Sequence, residues 1–418
     1  MKNRSLIYIF IALISAIFVG ISINTETKIF GFSVYNFFDV GGTLFLNLLM
    51  LIVVPLISSS IITGIAKMGK EHTLGRIASK TFFIFILTNI LAILLGVLLV
   101  NIFLNQFLES AKTISTIKNT KIIHGISSPE TKNIFLQIIP HNILEALSYG
   151  KMLSLIFVSI LFGFALTKTP YKYSFILINF FQSLFETMIQ ITHLIMKILP
   201  LGIFFLITKE FASTGLKALK PIALFSTVEL IGIFSIFFIL FPILLKFLAK
   251  INPLLHLKAM FPALITAFST SSSSATLPLT LDCLEKRASV SNKICSLTVP
   301  LGTSLNLTAT AMHIFVAASF IACVYGINLN FITQTTIFFL CLITTLGVAS
   351  VPSGCLITLM IVITTLGIPK EGIGIIIVVD RFLDMLRTTT NVFGTSSNTI
   401  IIAKLEGEKN LFSKKDFN

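Results

Sequence analysis

The residues best placed to do chemistry are Asp380, Arg381, Asp384 and Arg387, followed by Thr388, Asn391 and Thr395, inside a segment that is otherwise apolar. At about 100° per residue on a helix, Asp380, Asp384, Arg387, Asn391 and Thr395 share an arc of about 80°. A charge at the centre of a bilayer costs roughly 2.5–3.5 kcal/mol on insertion scales. A stripe with two acids and two bases must therefore face protein, water or a ligand. Ionisable side chains at that depth mark a functional site, and the chemistry they suggest is binding of a charged ligand.

The rest of the chain dictates the solvent. Its 418 residues are 55% hydrophobic and 11% charged, less than half the charged fraction of a soluble domain. This is the composition of an all-α polytopic membrane protein. The net charge of +14 comes from Lys and Arg clustered between apolar runs, as the positive-inside rule requires, and it excludes nucleic acid as partner. The five cysteines have no CxxC spacing and read as small buried hydrophobes. The apolar run 5–23 is too long for a signal-peptide core and reads as a retained first span.

Further spans are expected at about 41–66, 81–104, 152–166, 173–207 and 221–248. A polar loop separates the third from the fourth at about 105–146. From Pro262 onward the apolar pieces shorten. Phe261–Phe268 and Leu277–Leu281 flank a serine run, Ser269–Ser274, and neither piece reaches the roughly 20 residues that a span needs. Bare backbone cannot face lipid, so two half-helices meeting at a serine tip, a re-entrant hairpin, are expected. Freed amides and hydroxyls at a half-helix start suit an anion. A full span, about 294–325, carries the polar insertion Gly302–Thr310, which predicts local unwinding at mid-membrane. A second broken segment, about 331–366, centres on Gly347–Gly354, and the charged stripe closes the series. Hairpin, interrupted helix, hairpin and charged helix is the pattern of an inverted-repeat transporter with its site between the repeats.

Taken with Met50–Leu56, Asn142–Leu147, Ala275–Pro278 and Ser350–Gly354, the run Asp384–Val392 resembles the glutamate/aspartate transporters, the dicarboxylate/amino acid:cation symporters, over nearly the whole chain. The resemblance implies eight transmembrane helices plus two re-entrant hairpins, a homotrimer, and an elevator-type mechanism. It divides the chain into a scaffold (roughly 1–66 and 150–207) and a transport domain (roughly 80–104 and 221–405, with hairpins 255–290 and 331–368), ending in a cytoplasmic tail, 407–418. Both termini are expected in the cytoplasm of a bacterium, with the chain in its inner membrane. Arg387 matches the residue that pairs with the substrate's side-chain carboxylate, a role suited to a planar guanidinium. Asp384 matches the acceptor for the substrate's amino group. Ser273, Thr310, Val351, Thr388 and Asn391 match further substrate contacts, and Cys355 stands where the family has glycine.

Departures from the family pattern concern the coupling ion. The seventh-helix aspartate that binds sodium is here Thr308, and the eighth-helix one is Thr395. Two sodium sites thus lose the carboxylate that a hard cation favours. Thr88, Gly302, Ser304, Asn306, Thr345, Val348 and Asn391 are the remaining cation-site positions implied by the resemblance, all neutral. Coupling to H+, to fewer sodium ions, or uncoupled exchange all stay open. The glutamate that carries a proton in eukaryotic carriers is matched by Ile314, and His313 beside it reads as structural, a lone histidine on an apolar helix. Arg381, one turn before Asp384, is a candidate to offset that acid. Glu186 and Glu229 are expected to pair with Lys197 or to face a subunit interface.

The expected function is cation-coupled uptake of glutamate or aspartate, with C4-dicarboxylates next, no enzyme activity and no cofactor. An anion-conducting pore needs a continuous polar path, whereas these polar groups converge on one level. An intramembrane serine hydrolase needs a nucleophile and base in one motif, and none is present.

Overall fold

Unbroken apolar runs become long helices because lipid offers no partner for backbone groups, and the helix satisfies them internally. The computed structural model describes residues 2–23, 27–29, 32–68, 75–110, 139–140, 142, 152–215, 219–345 and 354–412. Its first half is built from α1 (Lys2–Ser22), α2 (Val34–Met68), α3 (Gly75–Ile102), α4 (Met152–Lys168), α5 (Tyr171–Thr214) and α6 (Leu219–Ser235). A two-residue antiparallel ladder, β1 (Lys28–Ile29) with β2 (Phe32–Ser33), turns the chain between α1 and α2. Beyond α6 the helix continues through π-helical stretches Ile236–Leu240 and Leu245–Ala249 that flank Pro242. Proline lacks the N–H and crowds the preceding turn, so a widened helix there is expected.

The second half is made of shorter pieces. α7 (Pro253–Thr270) and α8 (Ser273–Asp282) meet at the serine run, where Ser271 adopts a left-handed conformation (φ 49°) that closes α7. The Ser272 hydroxyl then caps α8, accepting from the Ala275 amide at 3.2 Å. The ten residues of α8 run on into a π-helical stretch, Cys283–Arg287. α9 (Asn292–Leu305) and α10 (Thr308–Val324) are separated only by Asn306 and Leu307, both non-helical (ψ 70° and 50°), which is the interruption expected within Gly302–Thr310. α11 (Phe331–Thr345) and α12 (Gly354–Thr365) bracket residues 346–353, so the second expected tip, with Val348 and Val351, lies outside the described residues. Most of the polar loop 105–146 lies outside them as well. The chain closes with α13 (Gly374–Leu405). Residues after it are docked rather than free at first, since the Phe412 amide donates to the Ala288 carbonyl at 2.9 Å.

Polarity is inside out. Phe18, Leu51, Phe83, Phe247 and Phe331 are exposed, while Thr, Ser, Asn and the charged stripe of α13 are buried. Five helical stretches among the described residues are long and apolar enough to cross a membrane: 34–66, 79–102, 171–192, 219–249 and 292–324. α5 packs along α1 and α2, and α4 along α2. α10 is buried along its whole length and touches α3, α6, α11, α12 and α13. α13 also contacts α7, α8 and α9, so the charged stripe lies at the meeting point of the broken elements.

Candidate functional site

The helical arithmetic of the stripe holds in three dimensions: Asp380, Asp384, Arg387, Thr388, Asn391 and Thr395 are all buried on α13. Arg387 is completely enclosed, and its guanidinium organises the first part of the site. Its Nη2 donates to Asp380 Oδ1 at 2.6 Å and reaches Asp384 Oδ1 at 3.4 Å. Asp380 is seven residues away, two turns of helix, so it lies on the same face and is the tighter partner. Nη2 also lies 2.9 Å from Cys355 Sγ at the start of α12, and Nη1 lies 3.1 Å from Nδ1 of His313 on α10. Arg381 Nη1 approaches Asp384 Oδ2 at 3.8 Å, the offsetting position expected for it. A planar guanidinium is therefore in place with Nη2 aimed by carboxylates and Nη1 by an imidazole, the two donors a bidentate grip needs.

His313 is not a lone core histidine. Its Nδ1 is 2.9 Å from Oε1 of Glu229 on α6, and both side chains are fully buried. This corrects the expectation for Glu229, which neither pairs with Lys197 nor faces an interface; Glu186 instead accepts from Gln182 at 2.9 Å. Neither partner is visible in the other's periodicity, because the two lie 84 residues apart on different helices. The signal that could have found them is the cost of an acid inside α6, which demands a buried partner. His313, Cys355 and Asp380 place donor atoms within 4.8 Å of one another, but the Arg387 guanidinium contacts all three, so this cage holds an arginine.

One turn further along α13 the chemistry becomes neutral. Asn391 accepts from the Ala309 amide at 2.9 Å and donates to Thr310 at 2.9 Å, tying α13 to the start of α10. Asn306, freed by the helix break, accepts from Thr88 at 3.1 Å and from Asn398 at 3.2 Å, and donates to Thr395 at 3.2 Å. Gly302 permits the closest approach of α9 to α13: a Cβ there would lie 2.3 Å from Thr395 Cγ2. Its carbonyl accepts from both the Asn306 amide and the Thr395 hydroxyl. Asn398 was not singled out by the sequence, although it continues the same polar face. Three buried neutral oxygens, Thr308 Oγ1, Asn89 Oδ1 and Asn398 Oδ1, have no hydrogen-bond partner among the described residues.

The other expected positions scatter. Ser273 is buried at the start of α8, which packs on α13, but makes no bond to Arg387 or Asp384. Thr345 is buried and bonds its own helix at Cys341 and Leu342, apart from the Asn306 network. Ser304 lines a cavity of about 240 Å³ among α2, α3, α5 and α9 with Ser60, Thr63 and Gln182, separate from Arg387.

An apolar exterior around a deep, charged constellation fits a membrane carrier. Residues 6–405 match the family model described as the sodium:dicarboxylate symporter family, and the chain belongs to that family. It is 33% identical over 406 residues to the proton/glutamate-aspartate symporter of Escherichia coli (strain K12), covering 95% of this chain and 92% of that one. It is 35% identical to the proton/sodium-glutamate symport protein of Bacillus caldotenax, covering 96% and 94%. Identity to the C4-dicarboxylate transport protein of Bacillus subtilis (strain 168) is 31%, covering 88% and 89%.

Proposed function

We propose that this protein takes up glutamate or aspartate across the membrane by cation-coupled secondary transport. The observation that carries the reading is Arg387, fully buried with Nη2 on Asp380 and Nη1 on His313, two nitrogens that a substrate carboxylate can take over as a fork. Asp384, facing both Arg381 and Arg387, is the acceptor for the substrate's ammonium group. Thr310, Thr388 and Asn391 complete the substrate contacts with Ser273 and Val351 from the two hairpin tips. C4-dicarboxylates are the second reading, favoured by the Bacillus subtilis relative and by an arginine that suits either substrate. An amino group is what separates them, and Asp384 favours the amino acid.

The same reading includes eight spans, two re-entrant hairpins and a homotrimer in a bacterial inner membrane, with both termini cytoplasmic. The packing of α1, α2, α4 and α5 on one another supports a scaffold, and the packing of α3, α6, α11 and α12 on α10 and of α7, α8 and α9 on α13 supports a transport domain that moves as an elevator. Thr308 and Thr395 in place of carboxylates favour fewer sodium ions than a site with acids would hold, and leave H+ as a coupling ion. Uptake into proteoliposomes with imposed sodium or pH gradients, comparing glutamate, aspartate, succinate and a neutral amino acid, tests substrate and coupling together. Saturable counterflow of glutamate is expected; uptake of the neutral amino acid alone would overturn the reading.

A further inference from the structure

Resting on that transport reading, we propose that the Glu229–His313 pair is the site that carries a co-transported proton, and that Arg387 links it to the substrate. Formal charge gives the first reason. Glu229, Asp380 and Asp384 are three buried carboxylates, facing two guanidiniums, Arg381 and Arg387. One negative charge is left over in a helix bundle where an unpaired charge is strongly disfavoured. A bound glutamate or aspartate, with two carboxylates and one ammonium group, adds another. Substrate and site together are then two negative charges in excess, and a proton on the imidazole–carboxylate pair supplies one positive charge where the neutral network around Asn306 offers none.

Geometry gives the second reason. Nδ1 of His313 lies 2.9 Å from the Glu229 carboxylate and 3.1 Å from the Arg387 guanidinium. One ring nitrogen carries either a hydrogen or a lone pair. It accepts from Arg387 or donates to Glu229, never both. While Arg387 donates to it, Nδ1 has no hydrogen for the carboxylate. The neutral ring then carries its hydrogen on Nε2, and when Arg387 turns to a substrate carboxylate the freed Nδ1 lone pair takes up a proton and donates it to Glu229. Nε2 lies 4.0 Å from Asp380 Oδ1, the atom that Arg387 would also release, and both Nε2 and Glu229 Oε2 lack a hydrogen-bond partner among the described residues. The Nε2–H of the imidazolium so formed meets a carboxylate that has just lost its cation. The Nδ1–H bond forms as an O–H bond of hydronium breaks on the side where substrate enters, and the exchange reverses to water on the side where substrate leaves.

The pair's surroundings contain the groups already named and few others. α13 contributes Asp380, Asp384 and Arg387, α12 contributes Cys355, and the Phe225 ring of α6 sits 6.2 Å from the imidazole. α11 carries no charged residue. The basic residues of α3 are Arg76 and Lys80, and Lys80 pairs with Glu406, which lies 19 residues beyond Arg387 along the chain and about 28 Å away at 1.5 Å per residue.

The test uses the full chain in proteoliposomes with the membrane potential clamped at zero. With one proton per substrate, a one-unit acid-outside pH gradient supports about tenfold accumulation of glutamate by the wild type. E229Q is expected to lose that accumulation, falling to the level without a gradient, while glutamate counterflow persists and loses its dependence on pH. An entrapped pH indicator should report internal acidification during wild-type uptake and none for E229Q. Accumulation by E229Q equal to wild type, or wild-type uptake that moves no protons, overturns the proposal. If E229Q folds poorly, the indicator measurement on the wild type decides alone. Wild-type counterflow that persists without any response to pH sinks the proton site and leaves the transport reading standing; absence of wild-type counterflow sinks both.

Discussion

Two parts of α13, one turn apart, both turn buried polar side chains inward and differ in the charge of those side chains. From Asp380 to Arg387 the helix carries formal charges of its own and meets the His313 imidazole of α10, paired with Glu229 of α6, and the Cys355 thiol of α12; from Asn391 to Asn398 it meets only neutral amides, hydroxyls and carbonyls. Burial alone therefore does not explain the charges. Neutral groups suffice to lock helices together, as Asn306 does with three hydrogen bonds across α3, α9 and α13. Charges are retained where a charged ligand must be met, since their desolvation is not repaid by structure alone. On the proposed function the first part is a grip with its proton partner, and the second is a neutral lattice in which Thr395 is hydrogen-bonded and the Thr308 hydroxyl has no partner among the described residues.

The largest effect expected from breaking this contrast is at Arg387. R387A leaves Asp380 and Asp384 without their main cation, a loss of about 3–5 kcal/mol when one partner of a buried pair is removed. Glutamate counterflow should fall to background. R387K keeps the charge but loses the planar fork, so residual counterflow with affinity weakened by about tenfold or more is expected, a change of roughly 1.4 kcal/mol. Wild-type affinity in R387K would show that the fork is not the recognition element.

Charging the neutral part is the converse test. Thr308 Oγ1 is buried without a partner among the described residues, so T308D places a carboxylate there at a cost of several kcal/mol. The variant should melt lower than wild type in sodium-free buffer and recover as sodium is added, by about 2.7 kcal/mol at a hundred times the dissociation constant. Wild-type protein should respond much less. An equal sodium response in wild type would mean that the neutral oxygens already hold the ion, and the contrast would collapse.

A smaller effect is expected at Asp384. D384N removes the charge from an acceptor worth about 1.5–3 kcal/mol to an ammonium group. Glutamate and aspartate should lose affinity by about 10–150-fold, while succinate, which has no amino group, loses much less. Equal losses for both would move the ammonium contact elsewhere.

Much of this was legible in the sequence because it followed local rules. The stripe on α13 obeys helical periodicity, the serine run breaks the chain between α7 and α8, and the break at Asn306–Leu307 lies inside the predicted polar insertion. Asp380 was on the stripe, yet its place as the tighter partner of Arg387 depended on which way the guanidinium folds, and periodicity does not fix that. The Glu229–His313 contact was not legible for a stronger reason. α6 and α10 each carry a single titratable residue of the pair, and only tertiary packing brings them together. An isolated histidine looks structural until its partner is found.

The neutral lattice gives the smallest and most local prediction. Asn398 donates to Thr88 at 3.1 Å and Asn306 at 3.2 Å, so N398A removes both bonds and leaves two buried acceptors one donor short. At about 1–3 kcal/mol for a buried polar group left unsatisfied, the melting temperature should drop measurably. The ratio of glutamate to succinate affinity should stay at its wild-type value, because Asn398 lies eleven residues, about three turns, beyond Arg387. A shift in that ratio would mean that the lattice sets the aim of the charged grip. The two parts of α13 would then be one device, and the division drawn between grip and lattice would have to be abandoned.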